Sequence, residues 1–192
     1  MKNLTQLLIV FILSINSHLV YANAGDMYLL PKLGFMKVDL TNAEDLASLG
    51  LLYGVGLSKN ISFEAELNAS LNVFNDSWSG GEYELTNADG DLTNKGSYQI
   101  WTLAGYAVYR VPVFKSFYLK GKLGVLYENV ERTETIPDPN TGKIEGETTN
   151  DTGVAGGLGF GFYMGKRVTM ELEATLIDKD ITFYSLGLHI RF

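Results

Sequence analysis

The residues of this chain best suited to chemistry are like charges at every second position. Glu64 and Glu66 form one pair, Lys120 and Lys122 a second, Glu171 and Glu173 a third, and Lys32 stands on a similar stretch nearer the start. Side chains two apart point the same way only in an extended strand. Such pairs can meet across a closed sheet as ion pairs. For general acid–base or nucleophilic work they would need a nucleophile with a base beside it. His189 is the one histidine after residue 24, and Ile190 and Arg191 follow it, so no His-x-Ser motif is formed. We expect His189 to fill space and expect no enzymatic activity. The chain has no cysteine, which removes disulfides and thiolate metal sites. We expect no cofactor and no metal. The run Asn87-Ala88-Asp89-Gly90-Asp91 suggests a calcium loop but lacks the spaced Glu of an EF-hand, so it reads as a plain turn.

The elements that carry these charges alternate with a period of two. In Ile61–Asn72, Ile61, Phe63, Ala65, Leu67, Ala69 and Leu71 are apolar and every intervening residue is polar. Seven further segments read as strands: Asp26–Phe35, Leu49–Leu57, Tyr98–Val111, Phe117–Glu128, Thr152–Met164, Val168–Ile177 and Ile181–Phe192. The faces of Tyr98–Val111 are less clean than the others. Twenty-one Gly and a total of 21 Tyr plus Phe, against 4 Pro, suit strands better than helices. Nothing sustains helical periodicity, and Asn42–Leu49 allows one short turn at most. Ser58–Asn60, Pro112–Ser116 and Gly165–Arg167 are short connections, whereas 73–97 and 129–151 are long and polar. Within the second, Thr133–Ile136 and Lys143–Glu147 can pair as a hairpin around Pro137–Gly142.

Residues 1–24 read as a signal peptide: Lys2, an apolar core at Leu7–Leu13, and the A-x-A site Ala22-Asn23-Ala24. The apolar run is too short to span a bilayer, which takes about 20 residues. Residues 25–192 then form one domain that has left the cytoplasm. A formal charge of −7 argues against nucleic acid as a partner.

Eight strands, each near the length of a tilted membrane strand, with short turns at one end and longer loops at the other, match an outer-membrane barrel. Three features orient the faces. The glycine-rich faces of the second and sixth strands would leave a soluble protein's surface bare but make room in a narrow lumen. The Glu pairs and Lys pairs lie at similar heights from the short turns, with the glycine strands between them. The last strand ends on Phe192 with apolar residues at every second position before it. The expected fold is all-β: an eight-stranded antiparallel up-and-down transmembrane β-barrel.

The chain resembles the small outer-membrane β-barrel proteins of Gram-negative bacteria, the OmpA-like and OmpX-like group of the porin family. The resemblance rests on Gly54-Val55-Gly56, Gly157-Leu158-Gly159, the inward Glu pairs, Tyr109-Arg110 before a periplasmic turn, and the terminal His189-Ile190-Arg191-Phe192. It implies a location in the bacterial outer membrane, with its lipid bilayer as partner. It also implies that Tyr184, Leu186, Leu188, Ile190 and Phe192 form the C-terminal signal read by the barrel-assembly machinery. The chain lacks the peptidoglycan-binding domain of full-length OmpA-like proteins, so cell-wall anchoring is not expected. Some small outer-membrane barrels act on lipid A with a His/Ser pair and a carboxylate, and this sequence does not reproduce that pattern. An eight-stranded interior is just wide enough for side chains to fill. We therefore expect Lys32, Glu64, Glu66, Lys120, Lys122, Glu171 and Glu173 to form a salt-bridge network that closes the lumen, with Arg110 and Arg191 nearer the periplasmic rim. Function then lies in the loops 73–97 and 129–151, structural or interacting with a surface ligand. A hairpin in the second loop would protrude as in OmpX-like relatives, with an edge open to strand addition. Two alternatives stand beside this reading: a narrow porin-like channel for small solutes, and a secreted lipocalin-like carrier with the faces reversed.

Overall fold

The computed structural model describes residues 24–38, 45–71, 81–86, 92–135 and 144–192. Residues 1–23 of the signal-peptide segment, the run Asn87–Asp91 and the turn Pro137–Gly142 lie outside the described residues. Among the described residues there are nine strands: β1 (Met27–Val38), β2 (Leu46–Gly56), β3 (Ile61–Leu71), β4 (Gly81–Thr86), β5 (Leu92–Phe114), β6 (Phe117–Thr135), β7 (Ile144–Tyr163), β8 (Val168–Asp178) and β9 (Ile181–Arg191). All pairings are antiparallel. Eight strands close into a barrel, with β9 joining β1 along one seam and β3 joining β5 along another. Closure satisfies every strand edge inside the bilayer, where no water is available to do so.

The alternation read from the sequence sets the faces, and they are those of a membrane barrel. Leu33, Leu123, Val125 and Leu158 point outward and are more than 60% exposed, whereas Tyr28, Lys32, Glu64, Glu66, Lys120 and Glu171 are buried inside. A belt of large apolar side chains facing outward around the whole barrel is unfavourable in water and favourable in lipid. This orientation overturns the lipocalin-like alternative, which needs the charges outside.

Three expectations are corrected. Both long segments are partly strand. Gly81–Thr86 forms β4, and β5 begins at Leu92, well before Tyr98. On the other segment β6 runs to Thr135 and β7 starts at Ile144, pairing Thr133 with Gly146 and Glu134 with Glu145 as the hairpin reading requires. The local sequence there is polar and turn-rich, so propensity pointed to loop. Cross-strand hydrogen bonding to an already formed neighbour decides otherwise. The second correction is at Pro112–Ser116, where strand continues to Phe114 and the turn is only Lys115-Ser116. Pro112 sits opposite Tyr118 beside a register shift, the kind of irregular place where a strand tolerates proline. The third correction is at β2, which starts at Leu46 and not at Leu49, so that strand occupies the end of the stretch Asn42–Leu49.

Beyond the barrel rim β4, β5, β6 and β7 continue as a four-stranded sheet on the side opposite the short turns. Pairing of β7 with β8 begins only at Gly156 opposite Leu176. Among the described residues, Ile144–Ala155 therefore pairs with β6 alone.

Candidate functional site

Inside the barrel the charges form two tiers. The tier nearer the short turns joins Glu64 to Arg110 at 2.6 Å and to Lys120 at 2.9 Å. It also joins Glu171 to Lys120 at 3.1 Å and to Arg110 at 3.5 Å. The next tier joins Glu66 to Lys32 at 2.9 Å and Lys122 at 2.7 Å, and Glu173 to Lys32 at 2.6 Å and Lys122 at 2.5 Å. Lys120 ties the tiers together at 2.8 Å from Glu173. Four cations thus face four carboxylates, each touching at least two of opposite sign, and the cluster is neutral as a whole. Buried charges persist when paired in this way.

Local structure explains the reach. Tyr28 of β1 lies opposite Gly54 of β2, which lies opposite Glu64 of β3. The Tyr28 ring lies over Gly54, so that its hydroxyl donates to Glu64 Oε1 at 2.8 Å. A Cβ on Gly54 would stand 2.0 Å from Tyr28 Cζ. The same row recurs across β6, β7 and β8: Tyr118 lies over Gly161 and donates to Glu171, and a Cβ on Gly161 would again stand 2.0 Å from the tyrosine Cζ. The glycine strands separate the charged strands, and they also open the slot through which a tyrosine fixes a carboxylate. The period of two puts Tyr28 on the face of Lys32 and Tyr118 on the face of Lys120, but assigns neither a role. The signal that could have found them is an inward tyrosine two strands from an inward Glu with glycine between.

Arg191 sits further out. Its inward column passes Gly187, opposite Glu171, then His189, opposite Thr169. It lines the periplasmic mouth with Arg110, Tyr118 and His189. His189 is buried, with its ring 4.2 Å from that of Tyr28. The residues of the C-terminal pattern, Tyr184, Leu186, Leu188, Ile190 and Phe192, all face outward on one line. Among the described residues no group of His, Asp and Glu is arranged to hold a metal ion.

The far half of the lumen is not polar. Met36, Val38, Leu46, Ile100, Leu126, Ile177, Ile181 and Phe183 pack into one buried apolar cluster with Tyr106 and Val108. Met36, Val38, Leu46, Ile177, Ile181 and Phe183 lie between the ion pairs and the extracellular mouth, while Tyr106, opposite Glu64, and Val108, opposite Lys122, reach down beside the ion pairs, which is why both faces of β5 read as apolar. Asn68 and Thr175 close the charged tier beneath the apolar layer, Asn68 Nδ2 donating to Glu66 at 3.0 Å and Thr175 Oγ1 to Glu173 at 2.9 Å. At the mouth, beyond the membrane-spanning segments, Glu128 lies opposite Asp151. Burial, together with the nearby Asp178 and Asp151 charges, pushes the Glu128 carboxyl up to about 6.

Comparison with known proteins agrees with this architecture. The family model described as outer membrane protein beta-barrel domain matches residues 7–192. No curated protein matches the sequence. Among solved structures, the outer membrane protein OprG from Pseudomonas aeruginosa is similar at 14% identity and a TM-score of 0.56, over 91% of this chain and 99% of that one. The attachment invasion locus protein Ail of Yersinia pestis is similar at 14% identity and a TM-score of 0.54, over 88% and 97%. A major outer membrane protein from Thermus thermophilus is similar at 14% identity and a TM-score of 0.60, over 88% and 100%. At such identities the likeness shows the fold, while the family match spans nearly the whole sequence. With a closed barrel, an outward apolar belt and a filled lumen, the chain belongs to the outer membrane protein beta-barrel domain family and resides in the bacterial outer membrane.

Proposed function

We propose that this protein is a closed outer-membrane barrel whose work is done at the cell surface by the β4–β7 sheet and the segments 73–97 and 129–151. One observation carries this reading: the lumen holds a neutral ion-pair layer and, in series with it, an apolar layer. A permeating solute would have to break the first and wet the second. The projecting sheet supports the surface role. Ile144–Ala155 offers a polar edge strand with no described partner on one side, where an extended segment of another protein can add by main-chain hydrogen bonding. In the same reading residues 1–24 direct export, and the line Tyr184, Leu186, Leu188, Ile190 and Phe192 is what the barrel-assembly machinery engages.

The test is the conductance of residues 25–192 refolded into a planar lipid bilayer. Stable insertion without current steps supports the reading. Discrete steps in the unmodified protein overturn it and establish a narrow channel.

A further inference from the structure

The lumen balances its charges, but the extracellular mouth does not. Above the apolar layer three carboxylates gather. Glu128 of β6 lies opposite Asp151 of β7, and the charges of both Asp178 and Asp151 act on it. Cross-strand neighbours of this kind stand about 5 Å apart at Cβ. Asp151 and Asp178 are exposed. Each accepts a hydrogen bond only from the backbone of the residue that follows it: Thr152 N donates to Asp151 Oδ1 and Lys179 N to Asp178 Oδ1, both at 2.7 Å. The Lys179 ammonium turns instead to Asp180, at 3.6 Å. Among the described residues no ion pair reaches Glu128, Asp151 or Asp178.

Glu128 is the member of the three that water serves least. It is 7% exposed, and among the described residues no group donates a hydrogen bond to its carboxyl. Even with that carboxyl pushed up to about 6, it is mostly ionised at neutral pH. A carboxylate so buried, beside two others, is costly unless a cation joins it. Two positions beyond Thr149 on the same face of β7, Glu147 lies opposite Arg132, so the unmatched charge sits at the level of Asp151.

The place beside Asp151 is open. Pairing of β7 with β8 starts at Gly156 opposite Leu176, and β8 ends at Asp178. An extended segment adding antiparallel to β7 above that point would continue the line of β8. Its residue opposite Asp151 would share a face with Asp151 and Glu128, because residues paired across strands point the same way. Asp178 would stand at the end of the added segment nearer the membrane. A metal ion does not fit, since among the described residues no group of carboxylates is arranged to hold one. A long cationic side chain does fit, carried on a main chain that the free edge of β7 can hold.

We propose that the β7 edge selects an extended peptide with a lysine or arginine opposite Asp151, whose charge is received by Glu128, Asp151 and Asp178. The inference rests on the reading of Ile144–Ala155 as an edge for strand addition, and it adds which kind of strand that edge takes.

The experiment uses residues 25–192 refolded into phosphatidylcholine vesicles and short rhodamine-labelled peptides of alternating Thr and Ser. One peptide carries lysine at its centre, a second norleucine at that place, and a third the lysine with every backbone amide N-methylated. Binding is read as fluorescence anisotropy. The lysine peptide is expected to bind about tenfold tighter than the norleucine peptide, and the N-methylated peptide not to bind. The preference for lysine should vanish in Glu128→Gln with Asp151→Asn. It should persist in Glu131→Gln with Asp180→Asn, which removes the same charge outside the site. Folding of each variant is checked by the mobility of unheated samples on gels, and Asp151→Asn alone replaces the first pair if that one does not fold. Equal binding of the lysine and norleucine peptides, lost on N-methylation, overturns the cation site and leaves strand addition standing. Loss of the preference in both double variants also overturns the site. Binding that survives N-methylation overturns the strand addition on which the site rests, and binding by none of the peptides overturns both.

Discussion

Lys120→Met is the perturbation that tests the lumen most directly. Lys120 Nζ lies 2.9 Å from Glu64, 3.1 Å from Glu171 and 2.8 Å from Glu173, more opposite charges than any other cation of the cluster touches. Methionine keeps an unbranched stem of similar length in the slot beside Gly159, so little cavity is added. What is lost is the charge. Four cations against four carboxylates become three against four, and Glu64 and Glu171 are left to share Arg110. Removing one member of a buried ion pair costs about 3–5 kcal/mol. With a urea slope of about 2 kcal/mol/M, the unfolding midpoint falls by roughly 2 M. The assay is equilibrium urea unfolding of the barrel in lipid vesicles, approached from both the folded and unfolded sides. Adding Glu171→Gln to Lys120→Met restores neutrality and should recover part of the loss, a coupling of about 1 kcal/mol or more. A midpoint for Lys120→Met within about 0.3 M of the parent, or a double variant less stable than the single one, would refute the reasoning.

Other consequences can be checked with the same preparations. Gly161→Ala forces the Tyr118 ring away from its hydrogen bond to Glu171 and should cost about 1–3 kcal/mol, whereas Gly121→Ala, whose Cβ would meet only Leu158 Cδ2 at 3.9 Å, should be near neutral in urea unfolding. Phe183→Ala empties the centre of the apolar layer and should destabilise by about 3–5 kcal/mol, yet the bilayer should stay free of current steps because the ion-pair layer remains. Glu128 has a folded-state pKa raised from 4.5 to about 6, so its ionisation opposes folding. Stability should therefore be higher below about pH 4.5 and fall as pH rises through 6. The fall is at most about 2 kcal/mol, and Glu128→Gln should remove that part of the pH dependence in unfolding titrations.

How much of this was legible beforehand differs by level. Alternation in Ile61–Leu71, Val168–Leu176 and Ile181–Phe192 is a backbone property, since side chains two apart must share a face, and so the strands and the common face of Glu64 with Glu66 and of Glu171 with Glu173 follow from order alone. The glycines of β2 and β7 likewise announced a narrow interior. The pairing partners did not follow. Whether Lys120 meets Glu64 or Glu66 depends on the tilt and stagger of strands that are distant in the chain. The links from Tyr28 to Glu64 and from Tyr118 to Glu171 depend on a third strand lying between. Polar segments became β4 and the extensions of β5, β6 and β7 because a neighbouring strand offered hydrogen bonds that local propensity does not register. The apolar upper lumen is of the same kind: Met36, Val38, Ile100, Ile177 and Phe183 lie on inward faces of four different strands, and only closure of the barrel brings them into one layer. The sequence by itself determined which residues share a face, because that is a matter of period; closure of the barrel with the charged face inside decided which face meets lipid. The tertiary structure alone decided which of them touch, because contact across a barrel is a matter of register.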